Sequence, residues 1–379
     1  MKALVIGAGV IGASVAFRLA EAGVAVTLID AGLPCGGTSQ VSFAWVSAAE
    51  KLASDPYFAL SLAAVEEHRR LAEAFGPEGQ WYPRPGVIQW QGAGAEGLDL
   101  GEMPIAHKLR QLAARNYPAE TLARADLARL VPQLSADAMA EDGLAIHYPE
   151  DGYLDAPLYV GSLVAAARDR YGAQLLSHTS VAEVLVRSGR VAGVQTDQGD
   201  VIAADVVVNC AGRWANEVAG EAGLGVPQAP TVGLIAYTRP APLPVLKVLR
   251  TPGLNVRSDG GGRLLLRAND IDMMVGAEDL PRPDHPAAQM LAERLWRLVP
   301  GLSGLPVEAV RIGIRPIPGD GLPAIGPVRG VDGYWLAVSH GGINISALVG
   351  RLLTAEIVEG RVDGLLAPYR PDRFIKAAA

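Results

Sequence analysis

The sequence predicts an α/β protein, in which a Rossmann-like nucleotide-binding part accompanies a second, mostly antiparallel α+β part. Three observations predict it. An apolar run, a glycine turn, a helical stretch and a second apolar run open the chain. Between residues 228 and 280, short apolar segments alternate with turn residues. Near the other end, a stretch dense in Gly and Pro precedes a strand, a Gly-Gly turn and a helix.

The opening unit comes first. Residues 2–6, KALVI, suit a buried parallel strand. Gly7-Ala8-Gly9-Val10-Ile11-Gly12 follows, then helical spacing over 11–22, Gly23 as a stop, and a second strand over 24–29 closed by Asp30. This is the dinucleotide fingerprint in its βαβ context. Gly7 permits the tight turn, Gly9 admits a pyrophosphate, and Gly12 lets helix and strand pack closely. The helix amino terminus offers free N–H groups and a positive dipole end to phosphate. The Asp30 carboxylate suits ribose hydroxyls and repels a 2′-phosphate, which disfavours NADP. The loop Gly36-Gly37-Thr38-Ser39-Gln40-Val41-Ser42 suits the far end of an extended cofactor such as FAD.

The middle of the chain reads as an amphipathic helix over 57–75, a strand-like stretch from Trp81 to Trp90, and two short helices at 107–115 and 121–131. His68 falls on a helix face rather than in a ligand set. A helix from Ala156 to Tyr171 precedes short strands at 174–177, 181–187, 190–196 and 201–202. Residues 205–208 form an apolar strand that runs into Asn209-Cys210-Ala211-Gly212, where the small Ala211-Gly212 turn admits close approach. Arg213, Trp214 and Asn216 open a helix. Cys210 reads as a packed apolar residue. Antiparallel strands are expected near 231–238, 246–249, 254–257, 263–267 and 273–276, then a helix over 286–299. Tyr237 on the first of these suits a substrate-facing aromatic or a sheet aromatic equally. Arg257, Arg263 and Arg267 read as solvated residues, with room for one of them to line a pocket.

The stretch from Gly313 to Gly326, GIRPIPGDGLPAIG, cannot be regular helix. Its prolines hold Arg315 in an extended segment, where a guanidinium suits bidentate recognition of a carboxylate. Pairing with Asp320 is the plainer reading. A strand at 333–338, then Ser339-His340-Gly341-Gly342-Ile343-Asn344, leads into a helix from about 345 to 359. The helix amino terminus can stabilise negative charge on a reduced flavin, and His340 can bond to flavin or substrate.

Composition bounds the rest. The length suggests two or three domains. With 19% charged and 50% hydrophobic residues, extended disorder is excluded. A net charge of −7 argues against nucleic-acid binding as the main function. Two distant cysteines, Cys35 and Cys210, make no framework, which points to a reducing cytoplasm. No apolar run reaches the roughly 18 residues of a membrane span. No HExxH, Cys/His set or acidic cluster calls for a metal.

Together these segments resemble the FAD-dependent D-amino-acid oxidase superfamily, in particular its glycine oxidase, sarcosine oxidase and D-amino-acid dehydrogenase branch. The matching stretches are VIGAGVIGASVAFRLAEAGVAVTLID, GGTSQVS, ADVVVNCAGRWA, GIRPIPGDGLPAIG and SHGGINISALVGRLLTAEI, in the family's order across residues 2 to about 366. The resemblance implies two interleaved domains. An FAD-binding domain takes residues 1–80, 148–217 and 310–379, and a substrate domain takes 81–147 and 218–309. It implies hydride transfer from the carbon beside an amine nitrogen to flavin N5, followed by imine hydrolysis. Carried over, Gly7, Gly9, Gly12, Asp30, Thr38 and Ser39 would hold the ADP and ribityl parts. Ala211, Gly212 and Trp214 match a further flavin-contacting stretch, and Gly341, Gly342, Ile343 and Asn344 would meet the isoalloxazine edge. The contact set also takes in Val10, Ile11, Ala31, Gly37, Val181, Gly313 and Arg315. For catalysis the expected residues are Arg315, which would clamp a substrate carboxylate, with His340 and Tyr237.

There are departures from the family pattern. Asp30 stands where Glu is usual. Gly313 stands where sarcosine oxidases carry a flavin-linking Cys, so the FAD is expected to be non-covalent. Gly233-Leu234 replaces a usual Gly-Gln, and Phe43-Ala44-Trp45-Val46 is unusually aromatic. The expected partners are a small amine bearing a carboxylate and an acceptor, either O2 or a quinone or other carrier. A cytoplasmic enzyme is expected, peripheral at the inner membrane if it is a dehydrogenase, and either a homo-oligomer or a complex subunit. A 2-hydroxy-acid dehydrogenase and a flavin subunit of a larger amine dehydrogenase complex remain alternatives.

Overall fold

The computed structural model describes residues 1–91, 103–222, 225–229, 231–251 and 253–374. Residues 92–102 and 375–379, inside the expected substrate and FAD-binding domains, lie outside the described residues. The opening unit folds as β1 (Lys2–Ile6), α1 (Val10–Glu21) and β2 (Ala25–Ile29). β1 is the centre of a six-stranded sheet. Its order is Ala324–Pro327, Tyr334–Val338, Val206–Asn209, β1, β2, Gln174–Leu176. Every pairing in it is parallel except that of Ala324–Pro327. Such strands are covered on both faces, and β1 and Val206–Asn209 accordingly read as near-continuous apolar runs.

One face of this sheet carries α1, packed against the helix Ala156–Tyr171 and the carboxy-terminal helix Gly342–Glu359. α1 and the carboxy-terminal helix cross closely. Gly350 makes that possible, since a Cβ there would overlap Ser14. Both helices are apolar on nearly all sides, which suits their burial. Gly172 and Gly360 end their helices with φ of 72° and 69°, the left-handed cap that glycine reaches without strain.

The second sheet has eight strands, ordered Val307–Arg315, Thr231–Thr238, Arg263–Arg267, Asn255–Asp259, Val248–Arg250, Val87–Trp90, Leu144–Tyr148, Glu120–Ala123. Its pairings are antiparallel but for Val248–Arg250 with Val87–Trp90. One face packs on the helix Pro286–Leu298 around Leu234, Ala236, Leu264 and Leu266. The other face looks toward the six-stranded sheet.

Several expectations need correction. Residues 273–276 are not a strand; a short helix Asn269–Asp272 stands before them, and Met273 and Met274 are exposed. Only Val87–Trp90 of the 81–90 stretch pairs as a strand, because Pro83 and Pro85 lack the N–H a ladder needs. Residues 120–123 are a strand, and the helix expected from 121 spans Arg124–Leu130. Gly212–Trp214 is a 3-10 turn. The carboxy-terminal helix starts at Gly342, three residues earlier than the sequence indicates. Val307–Arg315 lies wholly in the eight-stranded sheet, so the expected boundary at 310 falls inside one strand.

Candidate functional site

A cleft of about 1080 Å³ runs between the two sheets. The carboxyl ends of the parallel strands open onto it, where ligands bind in open α/β sheets. Gly7, Gly9, Val10, Ile11, Asp30, Ala31, Gly37, Thr38, Ser39, Val181, Ala211, Gly212, Trp214, Arg315, His340, Gly342 and Ile343 line it. These residues come from six separate stretches of sequence.

Two helix amino termini open onto the cleft, those of α1 and of the carboxy-terminal helix. Their N-caps, Gly9 and Gly341, carry no capping side chain, and neither first turn holds an acid. Both therefore present uncancelled positive dipole ends. At α1, the Val10 N–H donates to Ser39 Oγ at 3.1 Å. A Cβ on Gly9 would stand 3.0 Å from that oxygen. Gly7, at φ 95°, turns the chain from β1 toward α1. Gly12 lies under that turn rather than on the cleft, where a Cβ would run into the Gly7 carbonyl.

Asp30 has a fixed place. Its Oδ2 accepts the Ala8 N–H at 2.7 Å and its Oδ1 the Gly32 N–H at 2.8 Å. Each oxygen keeps a second lone pair, so the acid can hold the glycine turn and still receive ribose hydroxyls. The glycine cradle, the open helix ends and this acid fit an FAD.

The loop after β2 joins the two sheets. Thr38 Oγ1 donates to Ile314 O at 2.7 Å, and Arg257 Nε donates to Phe43 O at 2.8 Å. Arg257 is thus buried, not solvated as the sequence suggests. Gly313 does not line the cleft; its Cα faces Val41, which a Cβ would approach to 2.9 Å. Tyr237 does not line it either. Its ring is buried in an apolar cluster that the eight-stranded sheet forms with the segment around Phe43 and Leu52, and its hydroxyl donates to Gln40 O at 3.4 Å. Asn344 is buried in the first turn of its helix, with Oδ1 accepting the Ser47 N–H at 2.9 Å. Gly341 sits beside the Tyr57 hydroxyl.

At the end of the cleft nearest the eight-stranded sheet stand Gly233, Ile235, Arg267, Asn269, Arg315 and His340. Arg315 does not pair with Asp320, which instead accepts from Arg373 Nε at 2.7 Å. Its Nη2 donates to Asp272 Oδ2 at 2.5 Å, and its Nη1 to Val232 O at 3.3 Å. Gly233 provides the space: a Cβ there would collide with the Arg315 guanidinium. Arg267 donates to the same Asp272 oxygen through Nη2 at 2.7 Å and Nε at 3.1 Å. Asp272 Oδ1 accepts the Leu234 N–H at 2.9 Å. His340 reaches solvent through the cleft. Confinement there, and then the cations Lys51, Arg315 and Arg267, push its pKa down to about 4. The imidazole is neutral at pH 7.

Sequence reasoning missed Gly233, Asp272 and His68. His68 is fully buried and meets Ile343 O at 3.0 Å through Nε2, so it braces the helix end at the cleft. Burial pushes its pKa down to about 4. Among the described residues no group of His, Cys, Asp and Glu is placed to hold a metal, and no helix is long and apolar enough to cross a membrane.

A family model described as DAO, FAD dependent oxidoreductase, matches residues 2–356. The glycine oxidase of Geobacillus kaustophilus is 29% identical, over 98% of this chain and 96% of that one. Hydrogen cyanide synthase subunit HcnC of Pseudomonas aeruginosa is 29% identical, over 82% of this chain and 71% of that one. The crystal structure of the Geobacillus glycine oxidase superposes with a TM-score of 0.85 at 27% identity, covering 99% of both chains. That of an L-proline dehydrogenase from P. horikoshii shares the fold, with a TM-score of 0.82 at 20% identity over 98% of this chain and 97% of that one.

Proposed function

Since the chain belongs to the DAO family of FAD dependent oxidoreductases and acts on CH–NH donors, we propose that its substrate is a small amino acid or secondary amine bearing a carboxylate. The observation that carries this reading is one cleft that has a dinucleotide cradle at one end and Arg315 at the other. When bound, FAD supplies the hydride acceptor for the carbon beside the substrate nitrogen; the resulting imine is hydrolysed by water.

The chain's own residues bind and orient. Arg315 holds the carboxylate by charge-assisted hydrogen bonds, which fixes where the α-carbon stands. His340, neutral at pH 7, accepts a hydrogen bond from the substrate nitrogen without adding positive charge beside it. Ile235 and Phe43, on the cleft wall, keep water away from the reacting carbon. Gly9, Val10, Asp30, Thr38 and Ser39 are the residues proposed to hold the ADP and ribityl parts. Gly342 and Ile343 are proposed to meet the flavin edge. With Gly313 packed on Val41, the cofactor is held without a covalent link.

The test is anaerobic mixing of the FAD-loaded protein with glycine, sarcosine, D- and L-amino acids and 2-hydroxy acids. Loss of the oxidised flavin absorbance with a carboxylate-bearing amine, and release of ammonia or the smaller amine, is the expected result. Bleaching by hydroxy acids alone would reject it.

A further inference from the structure

The proposed carboxylate site contains one arginine more than a single clamp needs. Arg267 ends the strand Arg263–Arg267 and Arg315 ends Val307–Arg315, on either side of the strand that carries Gly233. Both side chains are about four-fifths buried, at 20% and 21% exposure, and both line the cleft. Asp272 stands behind them, 6% exposed. It gathers the two guanidiniums on one oxygen. Two atoms each within hydrogen-bond length of the same oxygen lie less than about 6 Å apart. A carboxylate can then bond to both guanidiniums at once.

The charges point the same way. One arginine already neutralises Asp272. The second leaves the Arg267–Asp272–Arg315 group at +1 on the cleft; His340 beside it is neutral, and Lys51 adds a further positive charge nearby. The acids that line the cleft are Asp30 and Glu217, which belong to the six-stranded-sheet side and not to this end. A largely buried guanidinium without a counter-charge calls for an anion. Among the described residues, Arg267 Nη1 and Arg315 Nε carry no protein hydrogen bond and remain as donors.

We propose that Arg267 is a second specificity-determining residue, which with Arg315 forms a paired clamp for one substrate carboxylate. Asp272 is the positioning residue that sets the spacing of the pair and holds its net charge at +1. Neutralising Asp272 therefore raises the preference for a dicarboxylate over a monocarboxylate. This rests on the proposed function, whose substrate bears a carboxylate.

The experiment titrates FAD-loaded full-length protein with acetate and with malonate, neither of which is oxidised, and follows the flavin spectrum. Removing one set of charge-assisted bonds in Arg267→Gln weakens acetate about 10- to 100-fold at unchanged flavin content. Arg267→Lys, which keeps the charge but not the fork, falls between. Asp272→Asn, still able to accept from the Leu234 N–H, shifts preference toward malonate about tenfold or more. Acetate affinity within twofold of wild type in Arg267→Gln overturns the clamp. An unchanged acetate-to-malonate ratio in Asp272→Asn overturns the charge-setting role. If Asp272→Asn does not fold, Arg267→Gln/Asp272→Asn is read instead. It keeps +1 on one arginine, and wild-type acetate affinity there overturns the pairing. A wild-type protein that binds no carboxylate rejects the proposed substrate class as well, which separates the two failures.

Discussion

Adding one methyl group at Gly233 tests how closely the strand Thr231–Thr238 is matched to the arginine on its edge-strand neighbour. In Gly233→Ala the new Cβ would stand 2.9 Å from Arg315 Cζ and 3.3 Å from Nε, closer still to Nη2. Ordinary contact begins near 3.5 Å, so the guanidinium, whose Nη2 is nearest, must retreat by about 1 Å or swing away. Gly233 lies outside the left-handed region, so alanine fits its backbone and even narrows the unfolded ensemble by about 0.4–1 kcal/mol. The perturbation falls on the side chain, not on the fold. The 2.5 Å bond to Asp272 breaks or bends. So does the bond to a substrate carboxylate, at about 1.5–3 kcal/mol. That corresponds to a KM for carboxylate-bearing amines roughly 10- to 150-fold higher. Melting temperature should move by less than about 3 °C, and flavin content should not change. Steady-state kinetics beside a thermal melt decide it. A KM within twofold of wild type would mean that Arg315 does not hold the substrate where the structure puts it.

Three further outcomes are expected. Gly12→Ala drives a Cβ into the Gly7 carbonyl, which is backbone and cannot yield, so purified protein should carry little flavin per chain; full flavin loading would remove the cradle argument. The two deeply shifted histidines set an acid limit. Unfolded His68 takes up its proton near pH 6.5 and the native group only near 4, so stability falls as pH drops between those values, by at most about 1.4 kcal/mol per pH unit for this group. His68→Gln should flatten thermal melts over that interval by about that slope, and an unchanged profile would count against a buried neutral imidazole. Finally, burial pushes the Cys35 thiol up to about 12 and raises Cys210 as well. Neither should react with a thiol reagent at pH 8 until denaturant is added, and prompt labelling of the native protein would contradict their burial.

The parallel half of the molecule was the most legible part, because its strands alternate with helices whose starts and stops are marked by Gly7, Gly9, Gly23 and Gly172. The glycine turn and Asp30 were legible for the same reason: a local pattern has a local physical meaning. The paired arginines were not. Arg267 looks like any arginine at the end of an apolar strand, and Asp272 like any acid in a polar run. Their meeting depends on the register that sets Gly233 opposite Gly313, which no spacing within one segment reveals. The same limit explains Tyr237. Alternation places it on the face of Gly233 and Ile235, but only the position of the Gln40 loop takes it away from the cleft. The helix Asn269–Asp272 was missed because the apolar residues after it resemble a strand, although Met273 and Met274 are exposed.

The order of the six-stranded sheet also governs how the protein is made. β1 pairs with Val206–Asn209, which in turn pairs with Tyr334–Val338. A ribosome that adds about 5–20 residues per second needs on the order of tens of seconds to pass from the first of these strands to the last. Until Val206–Asn209 is made the nascent glycine turn lacks its second neighbouring strand, and throughout that time it lacks the carboxy-terminal helix. Cofactor loading is therefore a late event in the life of each chain. A substitution that slows the docking of the last strand would lower flavin occupancy in cells without touching a single flavin contact.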